Sequence, residues 1–295
     1  MAKSGITTQA DISITAREVD FVTRFGQNWD ALREILGIMR PIRKAPGTKL
    51  VSSIVSMKGD LQGGASVGEG EDIPYTEFQV EPVAYDDITL EKYAKAVSIE
   101  AVAKWGARVA VQKTDEEFLN VLQGNVMGRF YTFLQTGTLV DTESDFQMGV
   151  AMSIGLVVDK FKKMHKDVTS IVTFVNTLDA YRYLGAASVT VQTAFGIQYV
   201  KNFLGAETMI LTSDIPEGKI ISVPSENIDL YYIDPGDGDF AELGLDYTVQ
   251  GETNLIGFHA NGNYNTAVGE SFALMGLRLW AEYLDGIAVV TIEGA

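Results

Sequence analysis

The sequence predicts an α+β fold, and three observations carry that reading. Apolar residues recur at helical spacing through one long segment, 114–136. Elsewhere they alternate or cluster in short extended runs, over 48–99 and again from 207 to the end. Helical and extended segments come in blocks, not in the strict strand–helix alternation of a doubly wound sheet. A chain of 295 residues allows about two domains or one large one. With 46% hydrophobic and 21% charged residues there is ample material for a packed core, which argues against disorder.

Residues 1–14 are small and polar without a period and read as an arm. Thr15 and Glu18 have capping-box spacing, in which the threonine caps a helix start and the glutamate reaches back. Val19, Val22 and Phe25 form a short stripe that Gly26 interrupts. Asn28 then caps a second short helix carrying Leu32, Ile35 and Leu36, with Gly37 as its stop. Arg40, Arg43 and Lys44 beside Pro41 and Pro46 make an extended basic connection. Residues 48–57 read as a strand and 77–99 as two more extended stretches. Between them lie Gly59, Gly63, Gly64, Gly68 and Gly70, too dense a set to support a core, so this is the tip of a long hairpin. The excursion from Thr48 to Ala96 is too polar to pack on itself and too patterned to be disordered. It looks like an arm that needs a partner.

Ser98 caps a short helix over 98–106. Thr114 and Glu117 form a second capping box, with Asp115 and Glu116 at the positive end of the helix. Phe118, Leu122, Val126, Phe130 and Leu134 repeat at i+4 as far as Gly137, which predicts a helix about 30 Å long. Gly124 and Gly128 weaken it by about 1 kcal/mol each relative to alanine, so packing must hold it. Residues 145–165 read as a further helix with Val150, Ile154, Val158 and Phe161 on one side, 169–175 as a strand, and a short helix follows a cap at Asn176 or Thr177. A helical turn or two is expected at 196–204, strands at 207–212, 218–223 and 229–233, an Asp-rich turn at 234–239, then extended runs with glycine turns. No internal repeat has a fixed period.

Composition removes whole classes of chemistry. Cysteine is absent, which excludes disulfides, thiolate zinc sites and cysteine nucleophiles. His165 and His259 are the two histidines, so a three-histidine metal site is impossible. There is no Gly-x-Ser-x-Gly elbow and no His-Glu-x-x-His. The glycine-rich tip lacks the Gly-Lys-Ser/Thr ending of a phosphate loop, and Asp234, Asp237 and Asp239 miss the spacing of a calcium loop. Scattered carboxylates could still meet in space as a hydrolase pair. No apolar run approaches the roughly 20 residues of a membrane span, and the first residues hold no apolar signal core, so the chain is expected to stay where it is made. Net charge is −16, the wrong sign for a freely diffusing nucleic-acid binder, yet it is blockwise: +4 over 1–58, −8 over 59–93, +3 over 94–113 and −13 over 206–295. Such blocks suit complementary surfaces on other subunits. Arg17, Arg24, Arg33, Arg40, Arg43 and Lys44 supply most of the basic N-terminal fifth and are candidate contacts, with Asp20, Asp30 and Glu34 interleaved.

The order of parts resembles a known family. The polar N-terminal arm, NWDALREILG, a long glycine-tipped hairpin, ITLEKYAKAVSIEAV and the helix DEEFLNVLQGNVMGRF are similar to segments of tailed-bacteriophage major capsid proteins of the Hong Kong 97 type. VTFVNTLDAYRYLG, TMILTSDIPEGKIISVPSENIDLYY and the closing LIGFHANGNYNTAVGESFALMGLRLWAEYLDGIAVVTIE continue the likeness over nearly the whole chain.

That resemblance implies an N-terminal arm and short helices over 1–47, an extended E-loop over 48–97, and a peripheral domain with its spine helix over 98–144. It further implies an axial domain over 145–243 and return strands of the peripheral domain over 244–295. The implied function is a major capsid protein, not an enzyme and without cofactor or metal. Such a protein assembles as hexamers and pentamers into an icosahedral shell around double-stranded DNA, in the virion and built in the bacterial cytoplasm. Partners would be further copies, a portal, a separate scaffolding protein, since only a short arm precedes the first helix, and possibly a decoration protein, with no membrane. Lys58, Gly63, Gly64, Gly68, Gly70 and Tyr75 of the E-loop become candidate inter-subunit residues, and Phe118 to Leu134 the spine-helix core. Some members cross-link a lysine to an asparagine; Lys58 with Asn261, Asn263 or Asn265 does not match that pattern closely, so the cross-link is not carried over. An encapsulin-type compartment shell around a cargo enzyme is the alternative, and a carboxylate-dependent hydrolase a remote one.

Overall fold

The computed structural model describes residues 16–37, 41–62, 67–185, 191–194, 197–237, 240, 242–249 and 254–293. The chain opens with helix α1 (Ala16–Leu36), then strands β1 (Ile42–Arg43), β2 (Lys49–Lys58), β3 (Glu77–Asp87) and β4 (Glu91–Ser98). Helix α2 (Ile99–Trp105), a π-helical segment (Arg108–Lys113) and the long helix α3 (Thr114–Leu134) come next. They lead to β5 (Leu139–Glu143), α4 (Phe146–Lys163), β6 (Ile171–Asn176) and α5 (Thr177–Leu184). Strands β7 (Gln192–Ala194), β8 (Ile197–Phe203), β9 (Ala206–Thr212), β10 (Lys219–Pro224), β11 (Ile228–Ile233), β12 (Ile256–Asn263), β13 (Val268–Ala281) and β14 (Ala288–Ile292) complete it.

Two sheets and one separate hairpin result. The first sheet runs β1-β11-β13-β12, with β4 also on β13. The second runs β5-β14-β10-β6-β9-β8-β7, and β2 pairs with β3 alone. Every residue of β6 is buried, as befits a central strand with helices on both faces. On one face α4 and α5 cover it through Phe146, Val150, Ala180 and Leu184. On the other, α1 and α3 fill the space to the first sheet, and one continuous cluster runs from Phe25 and Trp29 through Leu122 and Phe130 to Phe174 and Met275.

Four expectations from the sequence are corrected. Gly26 does not break α1: Phe21, Phe25, Trp29, Leu32 and Leu36 form one fully buried stripe, and such burial outweighs the ~1 kcal/mol a mid-helix glycine costs. Gly37, at φ +69°, ends the helix as expected. The Thr114–Glu117 capping box does not form, because the chain enters α3 through the π-helical segment. Thr114 Oγ1 instead donates to the carbonyls of Ala110 (2.8 Å) and Val111 (2.9 Å). The other capping box rests on Thr15, which lies outside the described residues; its partner Glu18 turns inward and is also bound by β12. Residues 197–203 are strand, not helix, held against β9 by a tight turn in which Leu204 and Gly205 take φ +51° and +98°. The arm is also shorter than 48–97, for β4 leaves it and pairs along β13 from Glu91 to Ser98.

Other local signals act as the sequence suggested. Ser98, Asp145 and Asn176 cap α2, α4 and α5 through their side-chain oxygens. Leu122, Val126, Phe130 and Leu134 are buried in α3, with Phe118 half-buried against the same core.

Because Phe25 is fully buried in α1, truncating it to alanine should remove about 3–5 kcal/mol of stability in urea unfolding. A loss under about 1 kcal/mol would mean α1 is not part of the core.

Candidate assembly surfaces

The hairpin β2–β3 is built to be held at one end. At its base Leu50 and Ile88 are buried with Ile233 and Trp280. Ser52 Oγ donates to the carbonyl of Glu282 (2.5 Å) and accepts from the Leu284 N–H (3.0 Å). Beyond this rivet the register places Met57 opposite Phe78, with Val51 and Val80 along the same face of their strands by two-residue steps. Opposed residues of an antiparallel pair share a face, so this face is an apolar stripe. Nothing in the chain covers it among the described residues: Phe78 is 64% exposed and Val80 57%. The other face is polar, with Ser56 opposite Gln79 and Ile54 opposite Glu81. Lys58 pairs with Glu77 at 3.1 Å on the surface. At the turn the Gly68 N–H donates to Glu71 (2.9 Å), Gly70 takes φ +86°, and Tyr75 is 97% exposed. Gly63 and Gly64 lie outside the described residues.

The basic N-terminal residues are engaged within the chain. Arg17 makes two bonds to Asp115 (2.7 and 2.8 Å) and one to Ser271 (2.8 Å), and Lys95 reaches the same carboxylate at 2.6 Å. Burial alone would raise the Asp115 pKa, but hydrogen bonds from Arg17 and Lys95, with their charges, hold it below the ordinary carboxylate range. Burial lowers that of Lys95, which Asp115 partly offsets. Next to Arg17, buried Glu18 accepts from the Ala260 N–H (2.6 Å) and Thr248 Oγ1 (3.2 Å), with His259 Nδ1 at 3.6 Å. Arg24 pairs with Asp20 (2.8 Å), Arg33 with Asp30 (3.0 Å), and Arg43 with Asp237 (2.7 Å). Lys44 sits 4.9 Å from the Tyr231 ring centre. Arg40 and Asp239 lie outside the described residues.

Of the concave surfaces on the described residues, two bear on assembly. A cleft of about 1440 Å³ runs along α3, lined by Gly124, Gly128, Arg129, Glu91 and Arg278. A Cβ at either glycine would meet nothing within 4 Å, so in one chain these glycines face open space and pack no backbone. Arg129 pairs with Glu91, whose other contact is the donated Tyr93 hydroxyl. Burial lowers the Arg129 pKa, and the neighbouring Arg278 charge adds to this. The second is an apolar groove of about 390 Å³ between α2 and the β12–β13 turn, walled by Val97, Ile99, Val102, Val111 and Val268 with Arg17 at its edge. The sequence offered no signal for this groove, because its walls come from segments separated by some 160 positions. Neither surface gathers catalytic groups. Among the described residues no three His, Asp or Glu side chains are placed to hold a metal, and no helix is long and apolar enough to cross a membrane.

No protein-family model matches the chain, and no curated protein matches its sequence. Its fold is found in solved structures. It superposes on the Cyanophage A-1(L) capsid asymmetric unit with a TM-score of 0.52 at 10% identity, covering 97% of this chain and 98% of that one. A chain of Mycobacterium phage Patience gives 0.50 at 11%, covering 100% and 94%. The capsid structure of Cyanophage P-SCSP1u gives 0.50 at 9%, covering 89% and 88%. The expected α+β capsid fold is therefore the fold this chain has.

Asp115 is buried and doubly paired, so Asp115→Asn should cost about 3–5 kcal/mol at pH 7 in urea unfolding. Its folded pKa lies below the unfolded value, so the carboxylate stabilises above about pH 4 and that contribution is lost on further acidification. The gap between the two proteins should close below that pH; a constant gap would contradict the pairing.

Proposed function

We propose that this chain is the major subunit of a closed protein shell, most simply a phage capsid around double-stranded DNA, and that its work is contact and not catalysis. The observation that carries this is the hairpin, riveted to the body at Ser52 and carrying an apolar face that the described residues of its own chain leave bare. A two-stranded hairpin is marginal alone, and an exposed apolar stripe of this kind marks a protein contact. A second copy is the partner that supplies such a contact everywhere in a shell. Many modest contacts repeated over a closed surface add to high avidity. The fold shared with phage capsid chains supports the same reading. Hexamers and pentamers, a scaffolding protein, a portal and a decoration protein belong to this proposal, as do a virion location, assembly in the bacterial cytoplasm and the division into E-loop, peripheral and axial parts. Lys58, Gly68, Gly70 and Tyr75 are its proposed inter-subunit residues. An encapsulin-type compartment has the same construction, and the contents of the particle separate the two: nucleic acid for a capsid, a protein cargo for a compartment.

The purified chain, with or without a scaffolding protein, should form large closed particles seen by light scattering and electron microscopy. A monodisperse monomer under every assembly condition would sink the proposal. Phe78→Asp with Val80→Asp should abolish particles while leaving monomer stability within about 1 kcal/mol, as expected for exposed sites. A large loss of monomer stability would show that these residues belong to the chain's own core.

A further inference from the structure

We propose that the polar pocket between α3 and the β8–β9 pair is a binding site for an uncharged polyhydroxyl ligand of one or two sugar rings. The proposal is independent of the shell reading and needs no second copy.

Helix α3 supplies one wall of the pocket, which holds about 530 Å³. The lining residues run from Asn120 through Gln123 and Met127 to Tyr131, so eleven residue steps of helix make the wall about 16 Å long. The start of α5, Gln198 of β8 and the end of β9 with Asp214 close the other side. A space of this size is in the range of small-molecule sites.

One buried group in this wall is unpaired. Gln123 is 6% exposed and sits between the buried Leu122 and Val126. Its Oε1 accepts from Asn28 Nδ2 at 3.5 Å, while its Nε2 is buried with no acceptor among the described residues. A buried amide donor left unpaired is destabilising, and a leucine in its place would not be. A ligand oxygen brought into the pocket removes that cost.

The far end of the wall carries a chain of hydrogen bonds. Thr212 Oγ1 donates to Asp214 Oδ2 (3.4 Å) and accepts from the Asp214 N–H (3.2 Å), and the Tyr131 hydroxyl bonds Thr212. Burial, with the Asp214 charge adding to it, pushes the Tyr131 pKa up, so its hydroxyl stays neutral. Between the two ends, Gln198 Oε1 accepts from the Tyr181 hydroxyl (3.3 Å), which leaves its amide N–H groups as what it offers.

These groups select the class of ligand. Among the lining residues there is no Lys, Arg or His, and Asp214 alone is charged, so a phosphate group meets repulsion and no counter-charge. A diamine would bring two charges to a single carboxylate. Hydroxyl groups both donate and accept, which suits a wall of amides, hydroxyls and one carboxylate. Met127, Ile197 and Leu211 add apolar surface for the C–H faces of a sugar ring.

The test titrates the purified full chain with maltose and with N-acetylglucosamine, read by saturation-transfer NMR and calorimetry. A ligand of this size should bind with a Kd of about 1 mM. Gln123→Leu and, separately, Asp214→Ala, the latter at an exposed position, should each weaken binding about tenfold, as when one good hydrogen bond is lost. Without sugar, Gln123→Leu should have a urea midpoint no lower than the unsubstituted chain, because it removes an unpaired buried donor. A midpoint well below it would show that Gln123 is satisfied without a ligand and would overturn the proposal. So would the absence of a signal from either sugar at about 20 mM, far above the expected Kd. Tighter binding of phosphate or putrescine than of sugar, or a sugar affinity that both substitutions leave unchanged, overturns it equally. None of these outcomes bears on shell formation.

Discussion

Phe130 and Tyr131 of α3 each meet Phe174 of β6 edge-on, with ring centres 5.8 Å apart. The rest of the structure depends on this junction. Without it, α4, α5 and the second sheet would be one layer pair, and α1 with the first sheet another. With it, a single core passes through α3, and Phe133 of the same helix stacks on Trp280 at 4.3 Å to fix the first sheet beneath. Edge-on and stacked aromatic pairs add about 0.5–1.5 kcal/mol each beyond the area they bury, and they constrain orientation as well as distance.

The polar contacts secure what the apolar core leaves loose. Helix α1 packs by its aromatic stripe, but a stripe alone lets a helix slide. Arg17 and Glu18, adjacent in sequence, prevent that by binding in different directions, one to the start of α3 and the other to β12. The carboxylates of Glu18 and Asp115 are buried here only because each is held by hydrogen bonds; a buried charge without partners would cost several kcal/mol.

Legibility in the sequence followed the range of the forces. The i+4 run from Phe118 to Leu134 was readable because a helix face is written locally. So were the caps at Ser98, Asp145 and Asn176, and the strands around 207–233. The continuity of α1 through Gly26 was not, because the reason for it lies in residues of α3 and β12 that cover the helix. Arg17 and Asp115 are 98 positions apart, and nothing local links them. The entry to α3 was misread for a related cause. A Thr-x-x-Glu pattern marks a helix start only where the preceding chain is not already helical, and here a π-helical segment precedes it. Of the candidate surfaces, the hairpin was visible as an arm in need of a partner. The groove beside α2 was not, since it exists only once β4 lies on β13.

The hairpin has a second consequence, for the time before assembly. Among the described residues β2 and β3 pair only with each other, so each presents one row of free backbone N–H and C=O groups. Such rows are templates for indiscriminate strand addition. Pro82, in the middle of β3, has no N–H to donate, and the acidic side chain of Glu81 disfavours a second copy of the same strand. On the shell reading proposed above, these features would hinder subunits from polymerising through their arms into fibrils. The arm's chemistry is as much a guard against premature association as a means to the ordered kind.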